Sequence, residues 1–71
     1  MVTTHIKLST GEEIVTQEER ITCIGGGGEK GVSALHGAIH STRTVRVSVN
    51  GVHRYINPVH IVEYWDESKG W

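Results

Sequence analysis

The stretch TVRVSVNGVHRYI, residues 44–56, leaves the chain less freedom than any other part of it. Valines 45, 47 and 49 alternate with Thr44, Arg46 and Ser48, the period of a strand that buries one face. Asn50-Gly51 follows at once, and Asn-Gly between alternating segments is the strongest short hairpin signal. A two-residue turn fixes register. It sets Val49 opposite Val52, Val47 opposite Arg54 and Val45 opposite Ile56 on one face. On the other face it sets Ser48 opposite His53 and Arg46 opposite Tyr55. The first face is core with one arginine intruding; the second is polar and places an arginine beside an aromatic ring.

The rest of the chain reads largely as further strands. In THIKLST, Ile6 and Leu8 alternate with His5 and Lys7, and TGE reads as a three-residue loop that places Leu8 opposite Ile14. Thr16 followed by Glu19 has the form of a capping box over one helical turn, after which ITCI is a short strand. Residues 25–31, GGGGEKG, are a Gly-rich loop between two hairpin units. Residues 32–40 are ambiguous: Val32, Leu35 and Ile39 keep helical spacing, but Gly37 weakens a helix by up to about 1 kcal/mol relative to alanine. The neighbouring strands favour two short strands around a His36-Gly37 bend. Asn57 and Pro58 supply a cap and a first turn position. The strand VHIVEYW then carries apolar groups on both faces, one more face than a small sheet covers with its own core. A faint internal echo pairs EEIVTQEERITCI with HRYINPVHIVEY, with Ile21 matching Ile61, as two bent hairpins of one small barrel.

The pattern NGVHRYINPVHIV, a glycine hairpin followed by an aromatic-aliphatic pair, Asn-Pro and Ile, resembles the FlbD-like family of small flagellar-operon proteins. The resemblance covers about a dozen residues and implies a small β-rich protein with little chemistry. The glycine loop and the central histidines lie outside it, and no functional residue is carried over.

Size sets the next constraint. A chain of 71 residues with 37% hydrophobic content is one domain at the lower edge of what a single core stabilises. Such chains use disulfides, a metal or self-association, and the lone Cys23 removes the intramolecular disulfide. An unpaired thiol fits a reducing compartment, so the expected location is the cytoplasm. No apolar run approaches the roughly 20 residues that span a bilayer, the N-terminus lacks the layout of a signal peptide, and no membrane partner is expected. The net charge of −1 argues against a dedicated nucleic-acid binder. Its distribution is uneven, however: between Lys30 and His60 there is no acid, and that span holds Arg43, Arg46 and Arg54.

Three constellations carry candidate chemistry. Gly26, Gly28 and Gly31 satisfy G-x-G-x-x-G in form. That motif needs a long helix and a larger parallel sheet, so what remains is a loop of Gly26, Gly27 and Gly28 whose amides, with Lys30 nearby, suit an anion; the plainer reading is a hairpin tip. His36 and His40 sit four apart, as two ligands of Zn²⁺ or Ni²⁺ do, with Cys23 or His53 as further ligands; no CxxC or HExxH accompanies them, and they are weak metal candidates. Cys23 with a histidine is the only nucleophile-base candidate, and it lies in an apolar strand where cysteine behaves as a core residue, so no catalytic residue and no cofactor is assigned. The third constellation is the polar face of the hairpin. Arg46, Ser48, His53 and Tyr55, approached by Arg43, combine forks suited to phosphate with a stacking surface. The plainer reading there is an ordinary exposed face.

These features lead to an all-β expectation of five or six short strands in a bent antiparallel sheet or an SH3-like or Sm-like barrel, with one or two single-turn helices. The chain is expected to self-assemble through Val62, Tyr64, Trp65 and Trp71. The expected activity is non-catalytic capture of a small anionic, nucleotide-like ligand at a subunit interface by Gly26, Gly27, Gly28, Lys30, Arg43, Arg46, His53, Arg54 and Tyr55. In size and economy the chain resembles the small phage-encoded proteins that sequester cyclic nucleotide signals. Alternatives are an Sm-like ring for single-stranded RNA and a structural or regulatory protein-interaction module.

Overall fold

A computed structural model describes residues 2–68. The strands are β1 (Val2–Leu8), β2 (Glu13–Gln17), β3 (Ile21–Cys23), β4 (Val45–Val49), β5 (Val52–Ile56) and β6 (Ile61–Ser68), with one helix, α1 (Val32–Ser41), and 3-10 turns at Glu18–Arg20 and Pro58–His60. They form two antiparallel three-stranded sheets, ordered β2-β1-β6 and β3-β4-β5. The fold is therefore small and mostly β, as the alternation indicates.

The Asn-Gly hairpin has the expected register throughout, from Val49 opposite Val52 to Val45 opposite Ile56. Asn50 and Gly51 both take positive φ, 51° and 79°, as that turn requires. The first hairpin differs by a small slip. Its loop is Ser9, Thr10 and Gly11, with Gly11 at φ 94° and Leu8 N–H donating to the Glu12 carbonyl at 2.8 Å. Ile14 therefore faces Ile6, not Leu8. Glycine takes the positive-φ position that closes such a loop, and a slip of two residues keeps every side chain on its expected face.

The internal echo is real in shape but differs in kind. β2 and β3 do not pair with each other, and neither do β5 and β6. Each pair is joined by a 3-10 turn that carries the chain from one sheet to the other, and Ile21 and Ile61 each open the strand after the turn. The expected bent hairpins are thus two sheet-switching corners. At the first, the Thr16 hydroxyl donates to the Ser48 carbonyl at 3.0 Å, tying β2 to β4, and no side chain caps the turn. At the second, the Asn57 side chain accepts from Val59 N–H at 3.1 Å and Pro58 stands at the turn's start, as expected.

Residues 32–41 form a helix, which corrects the strand expected there. Ala34, Leu35 and Ala38 are fully buried on one stripe. Burying a leucine is worth about 1.5–3 kcal/mol, more than the roughly 1 kcal/mol that Gly37 costs, so packing overrides propensity. Gly31 precedes the helix at φ 64°, ψ −136°, and a Cβ there would lie 2.8 Å from that of Glu18. Gly37 is different. A Cβ at Gly37 meets nothing within 4 Å, so Gly37→Ala is expected to raise stability by about 0.5–1 kcal/mol, read as a higher urea midpoint at unchanged slope.

The core lies between the sheets and beneath the helix. Ile6, Leu8, Ile14, Ile21, Val45, Val47 and Ile56 join the helical residues in one buried cluster. Thr4 is also buried, and its hydroxyl donates to Asp66 at 2.7 Å. The two-faced pattern of β6 comes from its pairing with β1. Lys7 faces Glu63 while Leu8 faces Ile61, so Val62 is the extra residue of a β-bulge. Ile61 and Tyr64 consequently both pack against the core, which removes Tyr64 from the free face assigned to it, while Val62 and Trp65 stay exposed. Trp71 lies outside the described residues. Among the described residues, no helix is long and apolar enough to cross a membrane.

Candidate anion-binding face

Sheet β3-β4-β5 turns Ile21, Cys23, Val45 and Val47 toward the core. Alternation then sends Thr22, Arg46, Ser48, His53 and Tyr55 to its outer face. Three successive pairings build one row across that face. Lys30 bridges Thr22, Thr22 faces Arg46, and Arg46 faces Tyr55. Strands β3, β4 and β5 contain no acidic residue. Among the described residues, no ion pair engages Lys30 or Arg46. Tyr55 is 64% exposed, so its ring is open to a stacking partner. Beside the row, Ser48 Oγ and His53 Nδ1 lie 2.6 Å apart.

Thr22 adds what the sequence reading missed. Its hydroxyl is sealed from solvent and has no hydrogen-bond partner among the described residues. Buried hydroxyls are nearly always paired, and one left unpaired costs about 1–3 kcal/mol. This one stands between the two cations of the row. Its position between Ile21 and Cys23 was legible as outward-facing, but its neighbours were not.

The other expected ligand residues lie elsewhere. Gly26 and Gly27 line a depression of about 230 Å³ with Cys23, Gly37, Ser41 and Arg43, on the helix side of β3. Arg43 donates to the Gly25 carbonyl, and Gly27 N–H donates to the Glu29 carboxylate at 3.1 Å. The loop is latched by an arginine and supplies its own anion, and the Gly26 and Gly27 N–H groups are engaged by the Cys23 carbonyl and the Glu29 carboxylate instead of forming a cradle with Lys30. Arg54 is likewise engaged: its guanidinium makes a two-point pair with Glu12 at 2.6 and 3.0 Å. That contact holds the Glu12 carboxyl below its ordinary range and raises Arg54.

On sheet β2-β1-β6 a second cluster surrounds His5. Its ring stacks on Trp65, centroids 5.0 Å apart and planes within 6°, and its nitrogens lie 3.2 Å from Glu13 and 3.1 Å from Glu67. The central strand is thereby clasped to both neighbours. The Glu13 contact, with smaller help from Glu67, raises His5 above its ordinary 6.5. A raised histidine stabilises the fold while protonated, so this contribution is complete below about 6.5 and fades as pH rises through the shifted value. Thermal unfolding between pH 5.5 and 8.5 is expected to show a fall in Tm with rising pH that His5→Asn flattens.

His36 and His40 share a face of α1, ring centroids 4.3 Å apart. No group of three or more His, Cys, Asp or Glu residues among those described is arranged to hold a metal. Comparison with family models, with curated proteins and with solved structures finds no match for the chain.

Proposed function

We propose that the chain captures a small phosphate-bearing, ring-containing anion on the outer face of β3-β4-β5, and holds it without turning it over. The observation that carries this reading is the acid-free row Lys30, Thr22, Arg46 and Tyr55, in which, among the described residues, neither cation is engaged in an ion pair. Lys30 and the Arg46 fork suit phosphate oxygens. The Tyr55 ring offers a base a stacking surface worth about 1–3 kcal/mol. A tyrosine ring and two cations supply affinity for such an anion, which fits sequestration.

Self-assembly completes the proposal. Among the described residues ten apolar residues are buried, while Val62 and Trp65 stand exposed at 65% and 37% on β6. A second copy covering them gives this small core the added burial that such chains need, and brings two or more anion faces into one particle.

The test is calorimetric titration with ATP, with a cyclic dinucleotide and with a twelve-residue oligouridine, each at several salt concentrations. Capture of a compact anion predicts saturable nucleotide binding with a shallow salt slope. Oligouridine binding with a steep slope transfers the face to the RNA-ring reading, since each neutralised phosphate of a single strand adds about 0.7 to it. Absence of both leaves a protein-interaction module.

A further inference from the structure

We infer that His36 and His40 form a two-point clip for one borderline divalent transition-metal ion, such as Zn²⁺, on the exposed side of α1. The clip is separate from the anion face and stands whether or not that face binds a nucleotide. Both histidines are exposed, one helical turn apart, with ring centroids 4.3 Å apart and planes inclined at 57°. Rings this close can converge on a single ion, which would sit about 2.0–2.1 Å from one nitrogen of each. Imidazole pairs at positions four apart on a helix are an established zinc-binding element, and imidazole suits Zn²⁺, Ni²⁺ and Cu²⁺.

The second observation is the support of one ring from another element. His36 Nδ1 lies 3.5 Å from the Tyr64 hydroxyl on β6. Metal-bound histidines characteristically have the non-ligating nitrogen in contact with a polar group, and the Tyr64 hydroxyl stands at the outer reach of such a contact, with the other nitrogen left for the ion. With two protein ligands, water fills the remaining positions and the site is open.

The clip spans the weakest point of the helix. Gly37 lies inside the bridged turn, where its backbone freedom opposes the helix. An ion joining residues 36 and 40 restrains that freedom only in the folded state, so binding and stability are linked.

The experiment uses untagged protein in a Cys23→Ser background, titrated with Zn²⁺ at neutral pH by calorimetry and followed by thermal unfolding. One ion per chain is expected, with Tm raised by about 5 °C at saturation. His36→Asn and His40→Asn each weaken binding by about 10-fold or more and remove the Tm gain, and Tyr64→Phe weakens it a few-fold with unchanged stoichiometry. Wild-type affinity in the His36→Asn/His40→Asn double variant, or no change in Tm at about 1 mM Zn²⁺, overturns the inference. All four side chains replaced are at least half-free of the core or conservatively changed, and circular dichroism of each metal-free variant verifies folding.

Discussion

Lys30→Glu combined with Arg46→Glu is expected to abolish nucleotide capture while leaving the fold intact. Lys30 is exposed and Arg46 half-buried on the outer face of β3-β4-β5, and neither contributes to the core cluster. Each charge-assisted contact to a phosphate is worth about 1.5–3 kcal/mol, and reversal replaces attraction by repulsion. Affinity should therefore fall by about 100-fold or more. The urea midpoint should move little, because no ion pair among the described residues is broken. Arg54→Ala is the informative contrast. It removes a cation of equal formal charge, but one already held by Glu12, so binding should be preserved. Equal losses in both variants would mean that the ligand senses only overall charge.

Leu35→Ala should have the largest effect on stability. Leu35 is fully enclosed and is the only large apolar side chain that α1 buries completely, its companions being Ala34 and Ala38. Truncating such a leucine typically costs about 2–5 kcal/mol. A domain of this size has roughly 4–10 kcal/mol in total, so the variant loses a large share of its folded population. Ile39→Ala, at a position 37% exposed, should cost under about 1.5 kcal/mol. Urea unfolding followed by circular dichroism measures both. Equal costs would mean that residues 32–41 do not pack as this helix does.

How much of this was legible in the sequence depended on how local its cause was. The 45–56 hairpin was readable in full because two turn residues dictate its register, and with it the placement of Arg46 beside Tyr55. The corners were visible as a repeat but took the wrong form, since the partners of β6 lie on β1, as in Thr4 with Asp66 at a separation of 62 residues. No local pattern reports such pairing. The helix was hidden by Gly37, whose unfavourable propensity is local while the burial of Leu35 that overrides it is tertiary. The β6 bulge was hidden for the same reason: only the pairing with Lys7 and Leu8 explains why Ile61 and Tyr64 face the same way.

The candidate site followed the same division. Tyr55, Arg46 and His53 came from hairpin register alone. Lys30 joins them through a single bridge to Thr22 that the loop composition did not indicate. Arg54 was lost to the site because Glu12, 42 residues away in the chain, pairs with it. The Gly26 and Gly27 N–H groups donate to the Cys23 carbonyl and the Glu29 carboxylate, so these amides serve the loop itself.

Native mass spectrometry of the protein isolated from the cells that make it, followed by denaturation and identification of whatever is released, tests the central claim most directly. The claim predicts an assembly of several subunits that releases a phosphate-bearing small molecule in fixed proportion, with that molecule missing from the Lys30→Glu/Arg46→Glu preparation. A bare, single folded subunit would contradict it.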